Sequence, residues 1–169
     1  ARRRRVARPR PALAVLAAAL TLAAQAPGQR PAAPVTAPAP PFSIVEAPIP
    51  DMQAALAAGR VTSVGLVQQY LQRIATYEDR LNAVIAINPK ALEEAAALDQ
   101  ERTARRVRGP LHGIPVALKD NIHTTNMPTT GGALAFDGLV PPYEATLTKN
   151  LRDAGALIIA KTVMTELAN

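Results

Sequence analysis

The stretch "GPLHGIPVALKDNIHTTNMPTTGG", residues 109–132, contains a short apolar run that ends on its one lysine, Lys119. Apolar residues over 114–118, fenced by Gly113 and Pro115 on one side and by Asp120-Asn121 on the other, read as a buried strand. Residues 120–143 are rich in Thr, Gly and Pro and read as irregular chain. A helix over roughly 144–154, closed by Gly155, then leads into "ALIIAK", a second strand. Strand, long excursion, helix, strand is the order of a βαβ unit. The fold class is therefore α/β, with parallel pairs in a sheet covered by helices.

Upstream, the same alternation continues. Asp51 is placed to cap a helix over "MQAALAA", with Gly59 as its C′ residue. Thr62 or Ser63 caps a second helix, in which Val67, Tyr70, Leu71, Ile74 and Leu81 recur at helical spacing and form one apolar stripe. "AVIAI" at 83–87 is short and β-branched, hence a strand, and Asn88-Pro89 supplies a cap and an N1 proline for a third helix over about 89–105. No internal repeat is present. The sequence stops at "TELAN", directly after a core-type strand, and so reads as the N-terminal portion of a longer domain.

The first 50 residues differ from the rest. They carry seven arginines and one glutamate, whereas residues 51–169 hold twelve basic and twelve acidic side chains. The whole excess of +6 thus lies in the leader, and the body has no net field to attract phosphate, which argues against nucleic acid as a partner. "ARRRRVARPR" followed by the uncharged "PALAVLAAALTLAAQA" has the layout of a signal peptide over residues 1–26: a basic region, a short apolar core, and an A-x-A pattern at Ala24-Gln25-Ala26. The core is shorter than the ~20 residues needed to cross a bilayer, so no stable membrane insertion is expected once the leader is removed. A secreted or periplasmic location follows. Residues 27–50 hold eight prolines and read as a semi-rigid linker, leaving 51–169 as the domain. The chain has no cysteine, which excludes disulfides, thiolate metal sites and a cysteine nucleophile within it.

Lys119 is the candidate for chemistry. In open α/β sheets, sites form at the carboxyl ends of strands. A lysine desolvated there has its charged form disfavoured and can accept a proton from a hydroxyl nucleophile. The plainer alternative is a lysine that snorkels to water or pairs with Asp120. His112 and His123 lack partners at ligand spacing, so no metal site is expected. Gly131-Gly132 lacks the Lys-Ser/Thr of a phosphate loop. Glu144, Lys149, Arg152 and Asp153 read as a solvated helix face, and Thr124, Thr125, Thr129 and Thr130 as turn residues.

Residues 109–132, together with "LRDAGALIIAKTVMTELAN" and "VTSVGLVQQYLQRIATYEDRLNAVIAINPKALEEA", closely resemble the N-terminal part of the amidase signature family. The resemblance covers essentially all of residues 51–169. It implies an α/β/α fold with a mixed β-sheet core, and hydrolysis of a carboxamide C–N bond in a small-molecule substrate by a Ser–cis-Ser–Lys triad. Neither metal nor organic cofactor is implied. Lys119 corresponds to the catalytic lysine, while both serines lie beyond Asn169 in the family pattern, so this stretch by itself is expected to be inactive. Ser43 and Ser63 match neither serine. Ala133 and Val163 stand where the family commonly has serine and asparagine, and each removes a hydrogen-bonding side chain near the expected site. The alternative reading is a non-catalytic exported binding or scaffold protein that keeps the fold.

Overall fold

The computed structural model describes residues 40–168. Four helices, α1 (Ile49–Ala57), α2 (Ser63–Leu81), α3 (Ala91–Thr103) and α4 (Thr146–Asp153), accompany three strands, β1 (Val84–Ile87), β2 (Pro115–Lys119) and β3 (Leu157–Thr162). The sheet has the order β1-β3-β2, with β3 antiparallel to β1 and parallel to β2. It is therefore mixed, and the parallel pair expected from the strand–excursion–helix–strand order is present. β3 takes the centre because its first five residues are all buried, so "LIIAK" can be covered on both faces.

Each face of the sheet has its own packing. Val67 of α2 and Ala91, Ala95 and Leu98 of α3 close over Leu157, Ile159 and Ala160. The three alanine- and leucine-sized contacts on α3 let that helix lie close to the sheet. On the other face, Leu118, Met127 and Ile158 form a smaller cluster with Val116, Ile122 and Leu151, so α4 and the irregular 120–143 segment act as the cover. That segment stays irregular apart from one 3-10 turn at Leu134–Phe136.

Several local expectations need correction. The described part of the 27–50 linker is not a spacer throughout: Ile44 is buried against Met52, Leu56, Leu66 and Ile114, with Phe42 alongside. Gln69 holds this extended piece by accepting from the Ile44 N–H and donating to the Phe42 carbonyl, both at 3.2 Å. α1 starts at Ile49 with Pro48 as its N-cap, so Asp51 lies in the first turn instead of capping. Prolines at 48 and 50 suit a helix start, where N–H groups have no intrahelical acceptor. Asn88 does not cap α3 either. Its amide donates to the buried Ile158 carbonyl at 2.9 Å and its Oδ1 accepts from the Lys90 N–H, which ties the end of β1 to β3. Residues 1–26, expected to be a signal peptide, and the rest of the expected linker lie outside the described residues.

α2 is capped twice. The Thr62 hydroxyl accepts from the Gly65 N–H at 3.0 Å. Asp99 of α3 reaches across to accept from the Ser63 and Val64 N–H groups at 2.7 and 3.1 Å. A carboxylate on the positive end of a neighbouring helix adds charge–dipole attraction to two hydrogen bonds. Asp99→Ala is expected to lower unfolding stability by about 1–2 kcal/mol, and Asp99→Asn by less, as read by urea denaturation. Equal stability of the alanine variant and the parent would show that water replaces the carboxylate at no cost.

Candidate active site at the carboxyl end of β2

β2 is an outer strand, hydrogen-bonded to β3 on one side only. Leu118 points into the cluster with Met127 and Ile158, and Lys119, one residue on, falls on the opposite side and is exposed. Within residues 40–168 no cluster packs over the Lys119 side chain at this end of β2. The expectation of a desolvated Lys119 concerns the whole domain, of which these residues are a part. Among the described residues the Lys119 side chain has neither an ion pair nor a hydrogen bond, and Asp120 is engaged elsewhere.

The buried lysine of this region is Lys161. It is fully inaccessible, as is Asp120. Lys161 Nζ donates to Thr129 Oγ1 at 2.8 Å and to the Pro128 carbonyl at 3.2 Å, and lies 3.5 Å from Asp120 Oδ1 as an ion pair. Burial pulls its pKa below the usual lysine range, and the Asp120 charge opposes that pull. On the far side of the carboxylate, Oδ2 accepts from the Thr130 N–H at 3.0 Å and from the Thr130 hydroxyl. That hydroxyl in turn accepts from the Gly132 N–H at 3.2 Å. Thr129 and Thr130, which the sequence presents as turn residues, are buried members of this network. The signal for it was thin: a lysine at the end of the most apolar strand, and an aspartate next to Lys119.

A register irregularity aims Lys161 at this network. Val116 pairs with Ile158 and Ala117 with Ala160, so β3 carries one extra residue, Ile159, between the two pairs. Val116 and Leu118 share a face of β2, and their partners Ile158 and Lys161 therefore share a face of β3 although they are three residues apart. Without the bulge, Lys161 would turn toward α2 and α3, where only apolar groups await it.

The turn at Gly131-Gly132 closes the site. Gly132 has φ +71, and a side chain there would meet the Met164 carbonyl at 2.7 Å and the Thr165 carbonyl at 2.9 Å. The Gly131 N–H donates to the Asp120 carbonyl, and the Leu167 N–H donates to the Gly131 carbonyl. The ends of β2, β3 and the irregular segment are thereby fastened together. Two open recesses of about 260 Å³ flank this junction. One lies beside Asn121, His123, Phe136 and Leu139, and the other beside Ile85, Ala133, Leu134 and Asp137. A larger recess, about 480 Å³, sits between residues 43–45 and α2, away from this chemistry. Ala133 is buried and Val163 is exposed, so neither contributes a polar side chain here.

Other residues fall into structural roles. His112 is buried, with Nδ1 accepting from the Arg108 N–H and Nε2 2.9 Å from the Leu98 carbonyl. Since a backbone N–H must donate to Nδ1, the ring proton belongs on Nε2, and both nitrogens are occupied. His123 packs its ring against Tyr143 at 5.1 Å. The α4 face is only partly solvated: Lys149–Asp153 is exposed, but half-buried Arg152 bonds Glu144, Glu94 and Asn126 and joins α4 to α3.

A sequence profile of the family described as Amidase matches residues 65–169, a span that includes Lys119, Asp120 and Lys161. The chain belongs to the amidase signature family. Among solved structures it is similar to the native peptide amidase of Stenotrophomonas maltophilia, at 50% identity and a TM-score of 0.71, over 73% of this chain and 26% of that one. An amidase family protein from Bacillus anthracis is similar at 37% identity and a TM-score of 0.69, over 73% and 25%. Among curated proteins, a glutamyl-tRNA(Gln) amidotransferase subunit from Thermobifida fusca is 43% identical over 119 residues, which is 70% of this chain and 24% of that protein. The chain thus spans about a quarter of the length of the amidase signature relatives it matches.

Proposed function

We propose that the whole protein is an exported amidase that hydrolyses a carboxamide C–N bond, with Lys119 as the proton acceptor of a Ser–cis-Ser–Lys triad. The single observation that carries the reading is the placement of Lys119: a lysine without a carboxylate partner at the carboxyl end of a parallel strand, in a chain of this family. In the proposed reaction Lys119 takes a proton from a bridging serine, which takes one from the nucleophilic serine as it attacks the carbonyl. The proton returns to the leaving amine, and water releases the acyl group. This role requires Lys119 to be dehydrated in the full-length protein.

The substrate we propose is a non-peptide carboxamide. The likeness to a peptide amidase makes an amide borne on a peptide the nearest competitor, so both belong in one assay. A component of a transfer-RNA-dependent amidotransferase is the second reading, favoured by the curated relative. The arginine-rich leader and the charge-neutral body weigh against it.

The test is to express the full-length protein with its own leader, locate it, and assay benzamide and an N-acetylated amino-acid amide. We expect the product outside the cytoplasm, cut between about Ala23 and Ala33, where the apolar run gives way to prolines. We also expect ammonia release from at least one amide. An intact "ARRRR" start on a cytoplasmic product overturns export, and a folded, exported protein inert toward both amides favours the scaffold alternative.

A further inference from the structure

Asp120 is the residue next to Lys119, and it is fully buried while Lys119 is exposed. Successive side chains leave a strand on opposite sides, so the Asp120 carboxylate is kept from Lys119 for as long as it stays on the Lys161 side. A carboxylate that turned to Lys119 would hold the amine in its charged form and oppose its acting as a base. Here the carboxylate is taken from both sides. Lys161 Nζ stands 3.5 Å from Oδ1, and the Thr130 N–H and hydroxyl hold Oδ2. Lys161 is there only because the extra residue in β3 turns it to that face, and Thr129 and the Pro128 carbonyl fix its ammonium.

We infer that Lys161 is a positioning residue that sequesters the Asp120 carboxylate, and so keeps the amine of Lys119 free to act as a base. The inference rests on the reading of Lys119 as proton acceptor. The other ionisable groups on the elements packed here are His123 and Asp137 on the irregular segment, Glu166 beyond β3, Arg73, Glu78, Asp79 and Arg80 on α2, Glu93, Glu94, Asp99, Glu101 and Arg102 on α3, and Glu144, Lys149, Arg152 and Asp153 around α4. Lys149 and Arg152 are paired with Asp153, Glu144 and Glu94, and Glu78 accepts from the Val84 N–H. Asp120 is the only carboxylate within ion-pair distance of Lys161 among the described residues. It is also the one that a loss of Lys161 would leave held at Oδ2 alone, with no charge partner.

Lys161→Met, Asp120→Asn/Lys161→Met and Lys119→Ala, each in the full-length protein, test this through the pH profile of kcat/KM on whichever amide the enzyme turns over. With Lys161→Met, the freed Asp120 engages Lys119, and the acid limb of the profile moves up by about 1–3 pH units. In the double variant there is no carboxylate to release, and the acid limb returns to its wild-type position. A merely structural pair would lower the melting temperature of Lys161→Met and leave the acid limb where it was, and that result overturns the inference. If Lys161→Met does not fold, Lys161→Gln keeps partners for Thr129 and Pro128 while losing the charge, and the same shift is required of it. Full turnover by Lys119→Ala would instead sink the proton-acceptor reading itself, whatever the Lys161 variants do.

Discussion

Lys119→Ala in the full-length protein is expected to lower amide turnover by about 10²–10⁴-fold, the usual worth of a positioned general base. Folding should stay almost intact: the side chain is bonded to nothing among the described residues, and where the rest of the protein covers it the alanine removes a costly polar group along with its packing. Its neighbour in the ladder, Thr162, keeps its bond to the Leu118 carbonyl, and β2 keeps its backbone pairing with β3. Lys119→Arg should fail to restore turnover, since a guanidinium stays protonated at any working pH and cannot take a proton from serine. The measurement is carboxamide turnover by the three proteins, each checked for a cooperative melt. Near-normal activity of the arginine variant would mean that this position supplies only a positive charge.

The largest effect on stability is expected at Gly155. Its φ of +91 lies where L-residues are strained, and a Cβ would stand 2.5 Å from His112 Cα and 2.8 Å from its Cβ. Those atoms cannot step aside. The Gly113 N–H donates to the Gly155 carbonyl at 2.8 Å, and His112 is held at both ring nitrogens. Gly155→Ala should therefore cost more than about 3 kcal/mol, combining left-handed strain of ~1–2 kcal/mol with overpacking of ~1–3 kcal/mol. Gly59→Ala is the control. It also has positive φ, +66, but nothing lies within 4 Å of the added carbon, so only the strain of ~1–2 kcal/mol applies. Chemical denaturation of the two variants compares them directly. Equal losses would show that the close approach to His112 relaxes freely.

The amidase class was legible because it rests on local sequence. The run "GIPVALKDN" and the downstream "AKT" are contiguous, and the period-two and helical patterns that mark strands and helices are nearest-neighbour properties. The mixed α/β architecture followed from element order, because a parallel pair needs a helical crossover. Thr62 as the cap of α2 and Gly155 after α4 were likewise visible, since capping is chosen within four residues.

Burial was not decided by sequence. "PVALK" and "LIIAK" are both apolar runs that end on a lysine, yet among the described residues one is an outer strand and the other the central strand. Strand order is set by which faces the helices cover, and no pattern along one strand reports it. Within residues 40–168, Lys119 on the outer strand is exposed and Lys161 on the central strand is buried. The partner of Asp120 was fixed from a distance in the same way. A single extra residue at Ile159 rotates every later side chain of β3 to the other face. That inserted residue costs nothing in composition or periodicity that a reader of the chain would notice. By resemblance, the sequence points to Lys119 as the lysine for the chemistry. Which lysine is buried among residues 40–168 was decided only by the tertiary structure, because burial is a property of what folds over a strand and not of the strand.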